Sequence, residues 1–177
     1  MAKYSKEETI WMLDKCADAA RPFIEMFPEL NKENFCMRCN PDQVNATCAF
    51  GKSAFGEWYT LWFDAGFALF NHITRGFTAP FVIAHEFGHY KNRTREETAH
   101  MSGDKTELFE NEFIADRNAI ALCKNAGVKF IRTRAFVYLI GAMIFALGWV
   151  GGIKYLLSTH PEEDHPHPLK RILKLLL

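Results

Sequence analysis

A chain of 177 residues that is 49% hydrophobic and 14% aromatic can bury a proper core, which excludes a disordered tail. Its 21 basic and 21 acidic side chains cancel, so no global field draws it to nucleic acid, and no nucleic-acid partner is expected. Five Cys, an odd number with no secretory signal before them, argue against a closed disulfide framework and point to a reducing, cytoplasmic setting.

The first expected element is a helix over 5–27. Ser5 can cap it, Glu7 and Glu8 suit the positive end of the helix dipole, and Ile10, Leu13, Ala17 and Ala20 recur at helical spacing. Pro22 and Pro28 bracket its end. Cys36-Met-Arg-Cys39 has zinc-knuckle spacing but no second pair, so these read as reduced thiols near a turn at Asn40-Pro41. Residues 44–50 and 57–70 are aromatic and β-branched, broken by Gly51, Gly56 and Gly66, and predict two or three strands. His72 lies in an apolar segment without partner spacing and reads as structural.

A helix is expected over 79–91, with Thr78 as cap and Pro80 in its first turn. A polar loop over about 92–105 follows, then a helix over 106–125 that stops at Asn125-Ala-Gly127. Residues 135–153 carry no charge and are flanked by Arg132, Arg134 and Lys154. Gly141, Gly148, Gly151 and Gly152 interrupt the stretch, which favours a helix buried in the core; a membrane span is the alternative. The tail over 158–168 is rich in Pro and His, and Leu169 to Leu177 forms a short amphipathic helix.

The sharpest chemical signal is Phe81-Val-Ile-Ala-His85-Glu86-Phe87-Gly88-His89. Residues four apart on a helix differ by about 40° around the axis, so His85 and His89 share a face and can grip one zinc ion. Glu86 then sits where a general base is needed: zinc lowers the pKa of water to about 7, and a carboxylate can take the proton. The apolar run before His85 and the mid-helix Gly88, a choice that costs about 1 kcal/mol against Ala, suggest close packing around this helix.

A catalytic zinc wants three protein ligands. Tyr90-Lys-Asn-Arg-Thr-Arg95 excludes a third His six residues beyond His89. Glu112, in Asn111-Glu112-Phe-Ile-Ala-Asp116, is the preferred third ligand; Glu107, Glu110 and His100 are rivals. Asp116, one turn on, can accept the N–H of a ligating imidazole and fix its orientation. Of His160, His165 and His167, His165 is the candidate donor to the oxyanion of the reaction.

HExxH followed by Glu112-x-x-Ala-Asp116 resembles the gluzincin metallopeptidases of the HtpX and CAAX-protease type, and is similar to the phage-exclusion Lit-type peptidases. Val44-Asn45-Ala46 looks like the family's Asn-Ala segment, the strands over 57–70 like its substrate-side sheet, and His165-Pro166 with Arg171-Ile172 like its closing element. Arg171 has a fork that can clamp a carboxylate or backbone carbonyls and hold the tail over the sheet. The family's members usually carry two or more membrane helices, and here only 135–153 is a candidate.

The expected fold is therefore α+β: a zincin-like single domain over 1–177 with a small sheet, an active-site helix, a ligand helix and a hydrophobic helix. The expected function is zinc-dependent endopeptidase hydrolysis of a protein or peptide substrate. Two alternatives are an inactive zinc-binding module that holds a protein partner in the same cleft, which an intact Glu86 argues against, and a membrane-anchored protease using 135–153.

Overall fold

In the computed structural model, the described residues are 5–40, 46–53, 56–64, 79–128, 170, 171, 173 and 174. Helix α1 spans Lys6–Ile24 and begins as its sequence dictates. Ser5 Oγ accepts from Glu8 N at 3.1 Å, and Ser5 N donates back to Glu8 Oε2 at 2.7 Å, a capping box that satisfies two donors the helix leaves open. Pro22 lies inside the last turn rather than beyond it, and the helix ends two residues later. The buried stripe is Cys16, Ala20 and Phe23; of the row noted in the sequence Ala20 belongs to it, while Ile10 is 50% exposed.

Strands β1 (Phe35–Asn40), β2 (Ala46–Ser53) and β3 (Gly56–Asp64) form one sheet in the order β1-β3-β2. β2 and β3 pair antiparallel, from Ala46 opposite Phe63 to Ser53 opposite Gly56, and Gly56 takes φ 122° at the hairpin. β1 pairs parallel to β3, with Phe35 opposite Tyr59. Cys36 and Cys39 both lie on β1, which ends at Asn40; Pro41, the second residue of the expected turn, lies outside the described residues. Phe35 and Met37 face the core while Cys36 and Arg38 are exposed, the two-residue alternation of a half-buried strand. The expected strand residues 65–70, and Val44 and Asn45, lie outside the described residues.

Helices α2 (Ala79–Lys91) and α4 (Lys105–Asn125) fall where the sequence places them. Asp104 caps α4, accepting from Thr106 N at 2.8 Å. Gly127, at φ 65°, closes it as Val128 N reaches Cys123 O at 3.0 Å. Between α2 and α4 the expected loop over 92–105 is instead helix α3, Arg93–Ser102, ended by left-handed Gly103. Its residues are polar but compatible with a helix, and burying Glu96 and Ala99, three apart, is enough to seat it.

α2 is central. Phe81, Val82, Ile83, Ala84, Phe87 and Tyr90 are all buried, so it has no solvated face over most of its length. The Phe87 ring stacks on Phe27 at 5.4 Å and meets Phe23 and Phe35, each at 6.2 Å, tying α2 to the end of α1 and to the sheet. The architecture is mixed helix and small sheet, in line with the α+β expectation. Among the described residues, no helix is long and apolar enough to cross a membrane. The hydrophobic stretch 135–153 and the tail 158–168 lie outside the described residues, as does Thr78; Lys170, Arg171, Leu173 and Lys174 are helical.

Candidate metal centre

Two helices meet at a point without a side chain. A Cβ on Gly88 would stand 2.7 Å from Ala115 O and 3.0 Å from Ala115 Cα, so α2 approaches the backbone of α4 as closely as glycine allows. Gly88 lies between His85 and His89, and Ala115 between Glu112 and Asp116. The same close approach therefore brings three polar side chains into one buried space.

The imidazoles of His85 and His89 stand edge to face with centroids 4.5 Å apart and Nε2 atoms 2.9 Å apart. Each Nε2 lies 3.4 Å from a Glu112 carboxylate oxygen. One ligand atom from each of His85, His89 and Glu112 falls within 4.8 Å of the others, a group that could hold a metal ion. The donor set suits zinc, which takes imidazole nitrogen and carboxylate oxygen. Two nitrogens at ~2.0–2.1 Å from a tetrahedral ion are ~3.3 Å apart, so the pair needs to open by only a few tenths of an ångström.

Both outer nitrogens are held. His85 Nδ1 donates to Asp116 Oδ1 at 2.9 Å, and His89 Nδ1 donates to Glu96 Oε1 at 2.6 Å. With the protons there, both Nε2 lone pairs face inward, an arrangement that repels unless a cation or proton lies between them. The electrostatics agree. Burial alone lowers the His85 pKa, but hydrogen bonds to Asp116 and Glu112 outweigh it and raise the value to about 10. Burial raises Asp116, yet Arg171 and His85 beside it hold its pKa below the usual range. The centre favours positive charge.

Arg171 reaches this centre from the C-terminal segment. Its Nε and Nη2 donate to the two oxygens of Asp116 at 3.0 and 2.7 Å, the bidentate clamp its chemistry allows. Its Nη1 lies 3.3 Å from Glu112 Oε2. Lys174, one turn on, pairs with Glu110 Oε2 at 3.3 Å and sits 3.5 Å above the Phe113 ring, fastening the same segment to α4.

Glu86, the expected base, is buried on α2 directly after His85. Of the rival ligands, Glu110 is engaged by Arg117 and Lys174 outside the group, Glu107 is not part of it, and His100 is exposed on α3. Cys36 is exposed on β1 as a free thiol. His165, His160, His167 and His72 lie outside the described residues. Glu96 is the residue that sequence reasoning missed. Its spacing, seven residues after His89, was a usable signal only once 92–105 was read as a helix.

Comparison with known proteins finds no matching family model, no matching curated protein and no matching solved structure.

Proposed function

We propose that this chain is a zinc-dependent endopeptidase of zincin-like build and gluzincin type, acting on a protein or peptide in the cytoplasm. One observation carries the reading: His85 Nε2, His89 Nε2 and the Glu112 carboxylate converge within 4.8 Å.

The chemistry a zinc ion supplies in such a site is acidification of water and polarisation of a carbonyl. The chain does the rest. His85, His89 and Glu112 would hold the ion. Asp116 and Glu96 keep both imidazoles in the tautomer whose Nε2 points inward. Glu86 takes the proton from the attacking water and delivers it to the leaving amine, so the peptide C–N bond breaks without releasing an amide anion. Burial of His85, Glu86 and Glu112 limits bulk water around these groups and strengthens their interactions.

The test separates binding from chemistry. Wild-type protein purified without added metal is expected to carry close to one equivalent of zinc by elemental analysis. Glu86→Gln is expected to keep that zinc and lose at least ~10²–10⁴-fold in cleavage rate. Cleavage is read by mass spectrometry, as new protein termini in cells expressing the wild type and absent with Glu86→Gln. A zinc-free wild type, or a Glu86→Gln protein that still cuts, would overturn the assignment.

A further inference from the structure

Glu96 belongs to neither the HExxH nor the ExxAD segment, yet it touches a metal-facing imidazole. Its side chain is 8% exposed and that of His89 14%, and their 2.6 Å contact is at the short end for a charge-assisted hydrogen bond. On α3 only Glu96 and Ala99 are buried. Burying a carboxylate is costly unless a partner compensates it. Among the described residues the partner of Glu96 is His89, and no lysine or arginine pairs with it.

His85 is served differently. Its carboxylate, Asp116, also carries the Arg171 fork through two hydrogen bonds of 2.7 and 3.0 Å, so much of that negative charge is already answered. Among the described residues, Glu96 directs its charge at His89. A carboxylate on the outer nitrogen fixes an imidazole's tautomer and ring orientation and strengthens it as a donor. Each ligating imidazole thus has its own carboxylate, and that of His89 comes from an element that carries no ligand.

We propose that Glu96 is the positioning residue of His89, and that through it helix α3 is a working part of the metal centre. The inference rests on the zinc reading above, and it assigns to α3 a task beyond covering α2.

The experiment measures zinc affinity of the full chain by competition with a chromophoric chelator, together with the visible spectrum of the cobalt(II)-loaded protein. Glu96→Ala is expected to weaken zinc binding by about 10–100-fold and to alter the cobalt spectrum. Glu96→Gln, which keeps an acceptor oxygen without the charge, is expected to fall between wild type and Glu96→Ala. Arg95→Ala, on the exposed side of α3, serves as the control and should match the wild type. A merely structural Glu96 would lower the melting temperature of the metal-free protein and leave the cobalt spectrum as it was, which would overturn the inference. Should Glu96→Ala fail to fold, Glu96→Gln decides: reduced affinity supports the role, and wild-type affinity with a wild-type spectrum refutes it. A wild type that binds neither metal overturns the zinc reading and this inference together; a wild type that binds while both Glu96 variants match it overturns this inference alone.

Discussion

Gly88 is where the ligand geometry is set, although it offers no ligand. Replacing it with Ala adds one methyl group, and in an isolated helix that change gains about 1 kcal/mol. Here the methyl carbon would meet backbone atoms of Ala115 at 2.7 and 3.0 Å, and backbone cannot rotate away as a side-chain tip can. Overpacking of this kind typically costs about 1–3 kcal/mol, which exceeds the gain in helix propensity. Gly88→Ala is therefore expected to lower the melting temperature of the metal-free protein. It should also weaken zinc binding, because relief comes from moving α2 away from α4, and that carries His85 and His89 away from Glu112. A stabilised variant with full zinc affinity would show that the close approach is not required.

At the scale of elements, the C-terminal segment tests whether the centre needs more than its two main helices. Arg171 is 14% exposed and Asp116 3%, and the guanidinium holds both carboxylate oxygens. Removing one partner of a buried ion pair leaves the other uncompensated, at a cost of about 3–5 kcal/mol. Arg171→Ala should show that loss in urea unfolding, and Arg171→Lys should recover little of it, since an ammonium cannot form the two-pronged contact. Unchanged unfolding in Arg171→Ala would mean that the segment docks without stabilising the centre. Much of this was legible beforehand. The four-residue spacing of His85 and His89, the four-residue spacing of Glu112 and Asp116, and the glycine between the histidines each carry local geometry in the sequence itself. The clamp by Arg171 was legible as a capacity, because its fork suits a carboxylate or backbone carbonyls, but spacing could not say that it would meet Asp116 on α4. Helix α3 was hidden for a different reason. Its composition is that of a solvated loop, and only contact with α2 tells that Glu96 turns inward. β1 was hidden because only Phe35 and Met37 of its six residues pack against the described core, too short an alternation to mark a strand.

For the whole molecule, a zinc ion held as proposed would link folding, protonation and metal binding through His85. Its pKa rises from 6.5 to about 10 in the metal-free fold, because Asp116 and Glu112 outweigh the effect of burial. A raised folded value means that the protonated form stabilises the native state fully below pH 6.5, and that this contribution fades as pH rises from there through about 10. Zinc requires the neutral ring, so the ion and the proton compete for the same nitrogen. Metal binding near neutral pH should then release about one proton from His85, and zinc affinity should rise with pH across the range in which the metal-free fold loses stability. A ligand present at 100 times its dissociation constant stabilises by about 2.7 kcal/mol, so the difference in melting temperature between zinc-loaded and chelator-treated protein is large enough to follow. That difference is expected to widen from pH 6.5 toward pH 9, and calorimetric titrations in buffers of different ionisation enthalpy should report the released proton. A difference that narrows with rising pH, or binding that releases no proton at pH 7, would show that the histidine pair is already neutral and that the carboxylates around it do not hold a proton where the ion is meant to sit.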